Sequence, residues 1–188
     1  MIDLRKKGLP NNIEVAGKSY LLNTDFREWL KFGSILQQKN TEIFDLLFVI
    51  NNDITALDIL KNQDEFITKL IEFYRNKNVT PRQDNSSTND IVVDYILDGE
   101  YIVASFMQAY HIDLTQCDMH WHMFKALFVG LPEDTKISQI MSMRSYRKSN
   151  IGYEEQCRKL KSIWALPNSN VANNEELMEE INNEFYNC

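Results

Sequence analysis

The chain has 188 residues, 44% hydrophobic and 25% charged, and carries a net charge of −7 from 27 acidic and 20 basic side chains. An acidic chain releases no counterions on DNA or RNA and is not drawn to anionic lipid, so neither nucleic acid nor membrane is expected as a partner. No apolar run reaches the roughly 18–20 residues of a membrane span, and the first residues, MIDLRKKGLPNN, are basic with no apolar stretch behind them, unlike a secretory signal.

Six Gly and four Pro mean few obligatory turns, which favours helices over a many-stranded sandwich. Cys117, Cys157 and Cys188 are odd in number and widely spaced, as suits reduced thiols rather than a disulfide framework. Length and composition fit a single helical domain over residues 1–188.

Residues 13–22, IEVAGKSYLL, read as a β-hairpin: Ile13 and Val15 alternate with Glu14, and Gly17 supplies the positive φ of a tight turn. NTDFREWLKFGSILQQ reads as a helix started by Asn23 or Thr24, with Phe26, Trp29, Leu30, Gly33 and Leu36 on one stripe. TEIFDLLFVI (41–50) is apolar nearly all round, which suits a central helix or one covered by another chain. TALDIL (55–60) and DEFITKLIEFYRNK (64–77) follow, the second with Phe66, Ile67, Leu70 and Tyr74 inward. Residues 78–90, NVTPRQDNSSTND, have almost no apolar content and read as a flexible linker or loop.

GEYIVASFMQAYHI (99–112) sets Ile102, Val103, Phe106, Ala109 and Tyr110 on one side of a helix. Asp113 or Thr115 is expected to start the next helix, which runs through CDMHWHMF to Gly130, read as an αL cap, with Pro132 beyond it. Thr135 is expected to cap KISQIMSMR, YEEQCRKLKSIWAL (153–166) forms a further helix, and 168–188 is an acidic, weakly amphipathic tail of helical character. The sum is a mainly α fold of about seven helices and one short N-terminal hairpin, anchored by Phe26, Trp29, Phe106, Trp121 and Phe124.

CDMHWHMF (117–124) gathers a cysteine, an aspartate and two of the three histidines. On one helix, turning about 100° per residue, His120 and His122 would stand about 160° apart and could not share a metal. His122, in line with Asp118 and Lys125, would then be solvated, and His120 would be half-buried and hydrogen-bonded among Met123, Phe124 and Leu127. Asp118 with His122 supplies only two ligands and no HExxH is present, while nothing near Cys117 and His120 would lower a thiol pKa. GxSxG, GxxxxGK[ST] and GxGxxG are also missing. No catalytic, metal or cofactor-binding residue is therefore assigned, no cofactor is expected, and the chain is not expected to be an enzyme.

Five of the seven methionines, Met107, Met119, Met123, Met141 and Met143, fall within 107–143. They are the candidate partner-binding residues, weighed against ordinary core filler. Residues 144–161 hold six Lys/Arg and two Glu, and 168–188 hold five Glu and no Lys/Arg. These stretches could pair within a chain, pair head to tail between copies, or stay separately solvated.

NTDFREWLKF (23–32) and residues 101–144 resemble the gene-product-fifteen family of tailed phages and prophages of Gram-positive bacteria. In that family an NTDFR-like segment follows the hairpin. Patterns like F-x-Q-x-Y-x-I-D-L, M-H-W-x-x-F-x-A-L and G-L-x-x-x-T come later, here at Phe106–Leu114, Met119–Leu127 and Gly130–Thr135. His111 stands where relatives often have Gly. The resemblance implies a bacteriophage tail assembly chaperone that coats the apolar tape-measure helix while tail-tube subunits polymerise around it. Tape-measure protein and tail-tube protein are thus the expected partners, with self-association adding avidity. Such a protein would act in the host cytoplasm during assembly and be absent from the mature virion, and the family offers no catalytic residues to carry over. The alternatives are a structural tail or connector protein kept in the virion, and a metal-dependent enzyme using Asp118 and His122.

Overall fold

The computed structural model describes residues 5–38, 41–51, 55–75, 92–146 and 154–167. The linker expected at 78–90 and the tail at 168–188 lie outside the described residues. The described residues form strands β1 (Asn12–Val15) and β2 (Lys18–Leu21), then helices α1 (Phe26–Leu36), α2 (Ile43–Leu46), α3 (Ala56–Lys61) and α4 (Gln63–Arg75). Helices α5 (Gly99–Tyr110), α6 (Trp121–Val129), α7 (Lys136–Ser145) and α8 (Glu154–Ile163) follow. The fold is mainly α with an N-terminal hairpin, as the sequence predicts. Two compact units emerge, one drawn from Met1–Asn85 and Gln116–Gly130, the other from Ser86–Thr115 and Leu131–Cys188.

In the first unit β1 and β2 pair antiparallel, Val15 opposite Lys18 and Asn12 opposite Leu21. The two turn residues, Ala16 and Gly17, both have positive φ (49° and 74°), the pattern whose twist matches a two-residue hairpin. Alternation buries Ile13, Val15 and Tyr20, and Tyr20 meets Phe66 of α4 edge-on at 5.0 Å. Helix α1 starts one residue later than predicted. Asp25 is its N-cap, accepting the Arg27 N–H at 2.8 Å, while Asn23 accepts the Asp25 N–H. Phe32 is buried with Phe26, Trp29 and Gly33, whereas Leu30 and Leu36 are half-buried. Gly33 admits the Tyr74 ring: a Cβ there would lie 2.3 Å from Tyr74 Oη.

The 41–50 stretch is not one central helix. A single turn, α2, passes into a 3₁₀ turn at Leu47–Val49. Ile43, Leu46 and Val49 face inward at a spacing of three, leaving Phe44 (51%) and Phe48 (39%) exposed. The hairpin exit claims the backbone that a longer helix would need. Val49 O accepts the Asn23 N–H at 2.7 Å, Leu21 O accepts the Asn51 N–H at 2.9 Å, and Ile50 bridges Leu22. In α4 the inner face is Phe66, Leu70 and Phe73; Ile67 and Tyr74 are half-buried.

In the second unit α5 packs on α7 and α7 on α8. Ile102, Phe106, Ile137 and Ile140 are buried there, and Ser105 Oγ accepts the Ile137 N–H. Helix α5 closes on His111 in the left-handed region (φ 56°, ψ 33°), with its N–H on Met107 O and the Ile112 N–H on Phe106 O. This is the αL stop that a glycine would make at lower cost. Gly130, by contrast, ends α6 at φ −85°, outside the αL region predicted for it. Thr135 stands at the N-cap of α7, but its hydroxyl turns to Pro132 O and Ser138 Oγ instead of the first helical N–H groups.

Candidate functional site

Helix α6 does not start at Asp113 or Thr115. The Asp113 carboxylate accepts both the N–H and the hydroxyl of Thr115, closing a local turn. The chain then runs extended beside the start of α1. Met119 O accepts the Phe26 N–H at 2.9 Å, and Thr24 O accepts the Trp121 N–H at 2.8 Å. His120 is thus the N-cap, its Nδ1 accepting the His122 N–H at 3.0 Å. This corrects the helical-wheel expectation: the two imidazoles are not on opposite faces but 5.1 Å apart. His122 is 1% exposed rather than solvated. His120 is half-buried and hydrogen-bonded as predicted, its ring Nε2 2.9 Å from Pro10 O. Asp118 precedes the helix and is exposed, whereas His122 is buried. Among the described residues no three His, Cys, Asp or Glu side chains stand close enough to hold a metal.

The segment clamps the end of α4. The last carbonyls of a helix have no donor within it. Here three side chains of α6 supply donors. His122 Nε2 reaches Phe73 O at 2.9 Å, Trp121 Nε1 reaches Tyr74 O at 3.0 Å, and Lys125 Nζ reaches Tyr74 O and Arg75 O at 2.9 and 3.0 Å. A cation at this end also meets the negative pole of the helix. The Trp121 ring lies flat on Tyr74 (5.3 Å, 9°), Phe124 lies flat on Phe26 (4.8 Å, 10°), and Phe73 is wedged against Trp29 at 4.6 Å. The MHW-x-x-F-K string is therefore a capping and packing device.

Its electrostatics follow from burial. Burial lowers the Lys125 pKa and raises that of Tyr74. It lowers His120 too, and it pulls His122 down to about 4 against the opposing bond to Phe73 O. Both imidazoles are then neutral at pH 7, with the proton on Nε2, the nitrogen that faces a carbonyl. His122 Nδ1, buried, has no partner among the described residues.

A pH dependence follows. An unfolded histidine protonates near 6.5, whereas folded His122 resists until about 4. Its contribution is complete above 6.5 and is lost as the pH falls towards 4, by about 3 kcal/mol in all. Urea melts between pH 8 and 4 should show this decline, and His122→Asn should flatten it. An equal slope in the variant would remove His122 as the cause.

All five predicted anchors, Phe26, Trp29, Phe106, Trp121 and Phe124, are buried at 5% exposure or less. The five methionines do not behave alike. Met107 (43%) and Met123 (42%) are exposed, Met141 and Met143 are half-buried, and Met119 is buried as a core residue, so it takes no part in a surface. Met119 and Met123 belong to the first unit, Met107, Met141 and Met143 to the second. Phe44 and Phe48 were not singled out from the sequence, because an apolar run conceals which of its residues face outward.

Arg144, read as part of a basic surface stretch, is 7% exposed. Its guanidinium grips both carboxylate oxygens of Asp98 and reaches Val92 O and Trp164 O. Burial alone would raise the Asp98 carboxyl, but Arg144 and the Asp94 N–H outweigh it and hold the pKa below the usual range.

No described helix is long and apolar enough to cross a membrane. No curated protein and no solved structure matches this chain. A family model, described as Bacteriophage Gp15 protein, matches residues 6–166, a span that takes in the hairpin, the α4 clamp and the Asp98–Arg144 pair. By that match, the chain belongs to the bacteriophage Gp15 protein family.

Proposed function

We propose that this protein is a tail assembly chaperone that binds the tape-measure protein, tail-tube subunits or both during tail morphogenesis in the host cytoplasm. Family membership supports a phage structural or assembly protein. The observation that carries the finer reading is the outward pair Phe44 and Phe48, four residues apart across α2 and the 3₁₀ turn, on a stretch that buries Ile43, Leu46 and Val49. Two exposed aromatic rings at that spacing offer an anchor to an apolar helix. Exposed Met107 and Met123 add side chains that adapt to varied apolar partners. On this reading the protein works by mass action, holds no cofactor, catalyses no reaction and binds neither nucleic acid nor membrane. Many modest contacts cover the tape measure until tube protein displaces them.

Co-expression with a tape-measure gene from the same genome tests the proposal. A soluble complex is expected, and Phe44→Asp with Phe48→Asp should weaken it at least tenfold. No complex and no gain in tape-measure solubility would sink the reading. Stoichiometric recovery from purified virions by mass spectrometry would make the protein a structural tail or connector component instead.

A further inference from the structure

We infer that His120 is a titratable N-cap whose protonation loosens the start of α6 while the joint behind it stays closed. Helices α1 and α3 are capped by Asp25 and Thr55, a carboxylate and a hydroxyl, whereas α6 is capped by an imidazole. Of these groups, only the imidazole ordinarily changes charge between about pH 8 and 5. The contacts of the His120 ring fix its tautomer. Nδ1 lies 3.0 Å from the His122 main-chain nitrogen, a donor, so it is the bare nitrogen. Nε2 lies 2.9 Å from Pro10 O, an acceptor, so it holds the proton. The neutral ring suits both neighbours. The imidazolium carries a proton on each nitrogen and suits only Pro10. Its Nδ1–H would confront the His122 N–H, and its charge would stand at the positive pole of α6. Acid therefore removes a cap and sets two repulsions in its place.

The joint limits how far the loosening spreads. Met119 O and Thr24 O hold the Phe26 and Trp121 N–H groups, Asp25 bridges His120, and these main-chain bonds do not titrate. The N–H groups of Met123 and Phe124 both bond to His120 O, so the cap governs the turn that follows it. Charged groups stand on every element around the ring. At the start of α1 the Asp25 carboxylate accepts from Arg27, which also reaches Cys117 O. Lys69 and Glu72 of α4 and Glu14 of β1 line a cleft beside His122, whose ring is 5.1 Å from that of His120. Lys125 follows on α6, bound to the end of α4. Burial and the chain's N-terminal ammonium oppose a charge on His120, the Pro10 carbonyl favours one, and the balance lowers its pKa. A histidine whose pKa is lowered by folding contributes fully above about 6.5 and loses that contribution as the pH falls. The cap uses other residues than the Phe44–Phe48 pair, so its failure would leave the chaperone reading standing.

The test follows the full-length, ¹⁵N-labelled protein by NMR from about pH 7.5 to about pH 4.5. At the upper end His120 Nδ1 should resonate as an unprotonated nitrogen, and it should gain its proton on acidification. Hydrogen exchange, corrected for its intrinsic pH dependence, reads the consequence. The His122 and Met123 amides should lose about fivefold more protection than the amide of Leu70. Leu70 is buried in α4 and reports opening of the whole unit, including any that His122 causes. His120→Asn puts at the cap an amide oxygen that accepts the same N–H and does not titrate, so the excess loss should vanish. A protonated Nδ1 at about pH 7.5, equal losses at His122 and Leu70, or the same excess in His120→Asn would each overturn the inference. The first two are read on the unsubstituted chain, so they decide the matter even if the variant folds poorly.

Discussion

Replacing Arg144 with methionine is expected to destabilise the second unit by about 3–5 kcal/mol, since it leaves the Asp98 carboxylate buried without its cation. Asp98 stands at the N-cap of α5, Arg144 lies in the last turn of α7, and Arg144 Nε reaches Trp164 O just beyond α8. One guanidinium thus ties the ends of three helices. The Asp98 carboxylate also accepts the Asp94 N–H at 2.9 Å, so losing the arginine exposes a whole network to imbalance. Asp98→Asn alone should cost less, because it removes a charge yet keeps acceptors and donors. The double variant Arg144→Met/Asp98→Leu should recover much of the loss, because two apolar side chains need no partner. Chemical denaturation of the four proteins, with Asp98→Leu added as the second single variant, measures the coupling. A single-variant cost under about 1 kcal/mol would show that water already screens the pair.

The second large effect is expected at Trp121. Truncation to alanine should cost about 3–5 kcal/mol, since the indole is 1% exposed, stacks on Tyr74 and donates to Tyr74 O. Trp121→Phe keeps an aromatic ring and loses the donor, so it isolates the capping bond at about 1 kcal/mol. Protection of the last α4 amides against hydrogen exchange should fall in both variants, and further in the alanine one. If Trp121→Phe were as stable as the parent protein, the capping bond would contribute nothing.

Much of this was legible beforehand. The hairpin followed from alternation and Gly17, and α3, α4, α5, α7 and α8 followed from periodicity and caps to within a few residues. What could not be read was governed by distant backbone. Asp113 and Thr115 carry a helix-start signal, but residues 119–121 are committed to pairing with Thr24 and Phe26, so α6 begins only at Trp121. That shift of a few residues turned two histidines from opposite faces into neighbours and moved His122 from water to the core. Arg144 was misread for a similar reason: its partner lies 46 residues away, and a local count of charges sees only a basic run. The anchors were legible because aromatic side chains with helical spacing are buried almost regardless of which partner covers them.

The clamp also bears on how the chain is made. Helix α4 is complete once residue 75 has been synthesised, but the side chains that receive its last carbonyls arrive only with residues 121–125. Between them the ribosome must deliver α5, which belongs to the other unit. Neither unit can then finish folding in simple N-to-C order: the first waits for α6, and the second, already begun, waits for α7 and α8. A nascent chain halted before residue 121 would hold Phe73 and Trp29 without α6 beside them, an apolar surface that invites aggregation or proteolysis.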